Sequence, residues 1–226
     1  MDGRALTFHL AGINNQNFLM RDEETGSYWQ QISGRAIAGP LRGRQLQLVP
    51  SEEVTFGLWK EEHGNGTVLS SVAKFAKEYD PKGWEKDYAK LPVVTPRLKS
   101  EPLEARRLVL GVNAFGASRA FPLDKLLEQK LVLDRVGSEP VLLAVGPDKL
   151  SIRVFRRRLP GVDEAPDFYR NESGVMMDSV SGSEWGFTGC AVKGEKAGAC
   201  LEPVYAIRDY WFDWRTYHPE TSVYSK

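Results

Sequence analysis

The sequence predicts an α+β fold, mostly β, built from two related hairpin-rich modules that each end in a short aromatic helix. Three observations carry that expectation. A long stretch recurs in the chain, its apolar runs are short and punctuated by glycine, and a Trp-rich segment at helical spacing closes each copy. The first module is expected to be incomplete, because the second has a long front end without a visible counterpart.

The repeat is read by laying residues 18–46 over 175–201. Both copies run Met, Asp two positions on, Gly-Ser-x-Trp, a Gly, Ala-[Ile/Val]-x-Gly, another Gly and Leu. The match pairs Met20 with Met176, Asp22 with Asp178, Gly26 with Gly182 and Trp29 with Trp185. After a one-residue slip it pairs Gly34 with Gly189, Gly39 with Gly194, Gly43 with Gly198 and Leu46 with Leu201. It resumes at 54–70 over 209–225, pairing Phe56 with Trp211, Trp59 with Trp214, His63 with His218 and Val68 with Val223.

Each element has a local cause. An apolar run, then Asp-x-x-[Thr/Ser]-Gly-Ser, then an aromatic run predicts a hairpin: the Asp bonds turn amides and the Gly tolerates positive φ. Ala-[Ile/Val]-x-Gly-x-x-x-Gly-x-x-Leu predicts a second hairpin. Trp211, Trp214 and the stem of Tyr217 or His218 recur at helical spacing and share one face. Asp209 is the expected N-cap there, with Ser51 or Glu52–Glu53 in the first copy. Gly64 and Pro219 are the expected stops.

In the front end of the second copy, Leu108–Val112, Ser118–Phe121, Lys130–Leu133, Pro140–Val145 and Ser151–Phe155 read as strands. Pro122–Gln129 reads as a short helix with proline in its first turn. The expected division is 1–71 for the back half of the first module, 72–106 for a charged, proline-containing connector with a helical turn near 72–79, and 107–226 for a complete second module.

The totals exclude some functions. Thirty basic and thirty acidic residues cancel, which removes the long-range pull on phosphate that nucleic-acid binding uses. No nucleic-acid partner is expected. The basic run Arg153-Val-Phe-Arg-Arg-Arg158 reads as a strand whose arginines face solvent or protect a sheet edge. No apolar run approaches the roughly 18–20 residues needed to span a bilayer, and residues 1–8 do not read as a signal peptide. Compartment stays open, as do any other partners. Phosphate-loop, dinucleotide, nucleophile-elbow and zinc-helix motifs are absent from the sequence, so no catalytic residue, cofactor or metal is assigned.

On the Asp-x-x-[Thr/Ser]-Gly-Ser-x-Trp and Ala-[Ile/Val]-x-Gly segments, together with "DYWFDWRTYHPETSVY", the chain resembles a bacterial family defined as domain of unknown function 3179. The resemblance covers essentially the whole chain and implies no established activity. It implies a Cys-Pro-type motif at the end of the strand just before the point where this chain starts, and some members read as selenoproteins. A selenocysteine codon taken for a stop would restart the chain at Met1 and remove any export signal, so truncation is the expectation. The matching strand end in the second module is Val145-Gly-Pro-Asp148, where Gly146 stands in the cysteine's place.

Among individual residues, Cys190 and Cys200 stand where the first copy has Arg35 and Gln45, so the fold does not require them. Across a hairpin they can form a disulfide. Independent thiols, and then redox or metal roles, are the alternatives. Asp22 and Asp178, with Gly26 and Gly182, read as structural turns rather than as an acid–base pair. His63 and His218 end the aromatic helices and are binding candidates, as are Asn14, Asn15 and Asn17 in a polar loop without a counterpart. The tryptophans read as core before they read as a stacking platform.

The leading functional expectation is a binding or structural module of a bacterial, envelope-associated protein. The alternative is a thiol or selenol oxidoreductase whose active motif lies in a missing N-terminal segment.

Overall fold

The structure is a computed structural model that describes residues 3–14, 17–79, 83, 86–87, 89–93, 100–159, 161 and 164–226. Asn15 lies outside these residues, as does the side chain of Asn14 and part of the connector. The described residues form a mostly β, α+β fold of four sheets with short helices.

The two copies build the same sheet. In the first, β1 (Phe8–Asn14), β2 (Asn17–Asp22), β3 (Tyr28–Gln30) and β4 (Ala36–Ala38) form an antiparallel meander. The helix α1 (Phe56–Glu62) follows. A 3₁₀ turn at Ala73–Phe75 falls within the stretch expected to be helical.

In the second copy β5 (Leu108–Ala114), β6 (Ala117–Pro122), helix α2 (Leu123–Gln129), β7 (Leu131–Val136), β8 (Glu139–Val145) and β9 (Ile152–Arg156) come first. The repeated meander follows as β10 (Phe168–Arg170), β11 (Met176–Asp178), β12 (Glu184–Trp185) and β13 (Ala191–Lys193). Strand β14 (Ile207–Tyr210), helix α3 (Trp211–Tyr217) and β15 (Ser222–Val223) close the chain. Strands β14 and β15 add to the β5–β6 hairpin, giving the order β14-β5-β6-β15.

Period-two alternation sorts this front end into layers. Val141, Leu143 and Val145 of β8 enter one core with Leu110, Val112, Phe121 and Leu126. Leu142 and Ala144 face the opposite way, into a core with Phe155, Phe168, Met176 and Trp185. Strand β5 alternates likewise: Val109 meets Trp211 and Trp214 on the face away from Leu110 and Val112. Gly111 shares the Val109 face, where a Cβ would meet the Trp214 ring at 2.3 Å, so only glycine admits the indole. Among the described residues, the first copy has no counterpart of β5–β9.

The copies interlock through charge. The Arg153 side chain is buried, bonding Glu52 at 2.7 Å and Glu62 at 2.7 Å, with its guanidinium over the Phe187 ring. This corrects the expectation of outward-facing arginines. Carboxylates of the first copy neutralise Arg153, and desolvation without them would be costly. Arg156 and Arg158 share Glu139, and Arg157 bonds Asp167. Thr55 caps α1 by accepting from the Leu58 N–H, and its hydroxyl donates to Asp148 at 2.7 Å. The cap is therefore Thr55, rather than Ser51 or the glutamates.

Candidate functional site

The turn residues behave identically in both copies. Asp22 is fully buried; it accepts from the Thr25 N–H and from Trp29 Nε1 at 2.7 Å. Asp178 accepts from the Ser181 N–H and from Trp185 Nε1 at 2.9 Å. Burial alone would raise both carboxyls, but these donors outweigh it and hold them below the usual range. Gly26 and Gly182 take positive φ in these turns. Each aspartate thus ties a turn to the indole beneath it.

His63 and His218 are the C-caps of α1 and α3, bonding the Trp59 and Trp214 carbonyls through their backbone N–H groups. Their rings pack on the same tryptophans, with centroids 5.6 and 3.9 Å apart. Burial lowers the His218 pKa.

Cys190 and Cys200 form a disulfide, with sulfurs 2.05 Å apart, across a bridge position of the second hairpin. In the first copy Arg35 and Gln45 make the same bridge. Gly146, where the resemblance implies a cysteine, has little room for a side chain. A Cβ there would meet the Phe187 ring at 3.0 Å and Asp148 Oδ1 at 3.1 Å.

Asn17 is different, because it bonds Asp213, a residue that the sequence reading passed over. It stands at the start of β2, and its Nδ2 donates to Asp213 Oδ2 at 3.0 Å across the boundary between copies. Asp213 lies in the first turn of α3 and is only 6% exposed. Asp209 sits on β14 opposite Val109; expected as an N-cap, its carboxylate instead accepts from the adjacent Tyr210 N–H, while Tyr210 takes the cap position. Asn17 Oδ1, Asp209 Oδ2 and Asp213 Oδ1 are all closed off from solvent, and none has a hydrogen-bond partner among the described residues.

Asp209 is pushed up to about 8, first by burial and then by the charge of Asp213. Burial also raises Asp213, against the hydrogen bond from Asn17. Tyr217 is pushed up to about 12 by burial and by both aspartates. The nearby guanidiniums are engaged elsewhere: Arg208 with Glu53 and the Leu150 carbonyl, Arg215 with Glu101. Among the described residues, no ion pair reaches Asp209 or Asp213.

Asn17 and Asp209 line a cleft of about 590 Å³ between the copies, with Leu46, Leu48, Val49 and Ile207 among its apolar walls. Apolar walls and a few converging polar groups are the usual make-up of a small-ligand site. The repeat holds the signal that finds it. Asp209 and Asp213 align with Val54 and Leu58, and Leu58 is a buried core residue. The same fold position is apolar in one copy and acidic in the other.

Residues 1–221 match the family model described as Protein of unknown function (DUF3179). No curated protein and no solved structure matches the chain.

Proposed function

We propose a binding function for this chain, which belongs to the DUF3179 family, and place its ligand in the cleft between the two copies. One observation carries the reading: Asp209, half-buried on the cleft wall, and the buried Asp213 each hold an unpartnered, solvent-excluded oxygen at positions that the first copy fills with Val54 and Leu58. Buried, unpaired carboxylates cost stability, so a fold that can use valine and leucine there has no structural need of them. Such groups are retained where they meet a ligand. The Cys190–Cys200 disulfide supports an oxidising compartment, hence an envelope location for a bacterial protein.

A thiol or selenol redox role draws no support from the described residues. The two cysteines of the chain are joined to each other, on a hairpin whose first copy makes the same bridge without sulfur.

Saturation-transfer NMR tests the cleft, using a mixture of small amine-, alcohol- and carboxylate-bearing fragments on wild type and on Asp209→Val/Asp213→Leu. Fragments that bind wild type and are lost from the variant support the reading. No binding, or equal binding to both, refutes it.

A further inference from the structure

We propose a second binding site, where the end of β8 meets the turn between β10 and β11. It takes a small amphiphilic carboxylate, an anionic head on an apolar body. A cavity of about 570 Å³ opens there. Leu127, Met176, Trp185 and Phe187 supply apolar wall, and Lys130, Lys149 and Arg170 supply positive charge. Among the described residues no carboxylate lines it. Apolar walls with a few polar groups are the make-up of a small-ligand site, and charge of one sign selects the opposite sign in the ligand.

The three cationic residues converge on one backbone corner, Val145–Gly146. The Val145 carbonyl accepts from Arg170 Nη2 at 3.1 Å, and the Val145 N–H donates to the Lys130 carbonyl at 2.9 Å. One residue on, the Gly146 carbonyl accepts from the Lys149 N–H at 3.0 Å. Arg170 Nη1 also donates to the Gly174 carbonyl at 2.8 Å, so carbonyls of two lining residues hold the guanidinium on the cavity wall. These bonds leave its charge unbalanced and leave further N–H donors for a carboxylate, which matches the guanidinium plane. None of the three cations is in an ion pair among the described residues.

The backbone argues the same way. Among the described residues, three that are not glycine take positive φ, and two of them are Lys130 at 64° and Lys149 at 59°. Glycine is the ordinary occupant of such turns, because it has no Cβ to strain. Lysine at both, bordering one cavity, is a local cost that the turns themselves do not require. Register makes the case for the arginine: Arg170 pairs with Met176 as Leu10 pairs with Met20, so the meander folds with leucine there.

Octanoate and naphthoate are titrated into the full chain at low salt by calorimetry, with octanol and octylammonium as neutral and cationic controls. Amide shifts are followed by NMR in parallel. The expected result is saturable binding of at least one anion, at least about tenfold tighter than octanol, with shifts centred on Val145, Gly146 and Gly174. Lys130→Gly/Lys149→Gly, which suits both turns, should weaken that binding at least about tenfold while near-UV circular dichroism stays native. Arg170→Leu, which installs the first copy's residue, should do the same.

No saturable binding of either anion to folded wild type overturns the proposal. So does octanol or octylammonium binding as tightly, or an affinity that both variants leave unchanged. Shifts centred on Asn17 and Ile207 would put the anion in the cleft between the copies and overturn it too. Failure here leaves the reading of Asp209 and Asp213 standing, because the two cavities share no lining residue.

Discussion

Helices α1 and α3 are the same element in two surroundings. Both are seven residues long, end on a histidine C-cap and carry a tryptophan that packs against that histidine. In the second copy Trp211 is 2% exposed and Tyr224 4%, because the helix lies on β5 with Trp214 seated over Gly111. Their counterparts Phe56 and Leu69 are 61% and 97% exposed. The hydrophobic effect is thus realised in one copy and largely unrealised in the other. The Trp helix owes its stability to the sheet beneath it, since seven residues are too few to hold a helix alone.

Substitutions can break or sharpen this contrast. The largest effect is expected from Gly111→Val: its Cβ would meet the Trp214 ring at 2.3 Å, and nothing nearby can yield without moving the helix. It should cost about 3 kcal/mol or more in denaturant unfolding; a neutral result would mean that Trp214 does not sit there. Trp214→Ala comes next, expected to cost about 3–5 kcal/mol as a buried aromatic. Trp59→Ala, in the half-exposed equivalent, should cost only about 1 kcal/mol. Equal losses would show that the two helices are equally buried in solution.

Cys190→Ser/Cys200→Ser should lose roughly 2–3 kcal/mol of the chain-entropy stabilisation that a loop this short provides. The hairpin should nevertheless stay folded, as its Arg35–Gln45 counterpart does. Amide exchange across Ala191–Lys193 reads this directly, and complete loss of protection would count against it. The smallest effect is expected at Gly57, a helical position of α1 with open space around it. Alanine there should stabilise by about 0.5–1 kcal/mol, and a loss would show that the face is covered.

The acids should also give the second copy a pH dependence that the first lacks. Asp209 is raised to about 8 when folded, against about 4 in an unfolded chain. Between those values the folded state holds a proton that the unfolded state has released. The stabilisation is therefore full below pH ~4 and disappears as pH rises through ~8. In EDTA, the melting temperature should fall from pH 5 to 8.5 and Asp209→Val should flatten the fall. A slope that the substitution leaves intact would place the titration elsewhere.

Much of this architecture was legible because short-range chemistry fixes it. The Asp-x-x-[Thr/Ser]-Gly-Ser turns, the facing placement of Cys190 and Cys200 on a hairpin and the strands from Leu108 to Arg156 follow from glycine placement, alternation and the repeat. What escaped depends on contacts between distant segments. Arg153 looked like a surface charge because its partners, Glu52 and Glu62, lie about a hundred residues away in sequence. Asp209 looked like an N-cap because it precedes a helix, but it pairs with Val109 of β5 on β14, and its Oδ2 is closed off from solvent. Asn17 was singled out for its polar loop, whereas its bond to Asp213 spans 196 positions.

The central claim is that Asp209 and Asp213 serve a ligand and not the fold. Thermal unfolding of Asp209→Val/Asp213→Leu in EDTA at pH 8 tests it most directly, because both replacements are the residues that the first copy already uses. Removing these two carboxylates, each with one desolvated and unpartnered oxygen, should leave the protein folded and more stable than wild type, by about 1–4 kcal/mol. A variant that melts well below wild type would make the aspartates part of the scaffold, and would contradict the claim.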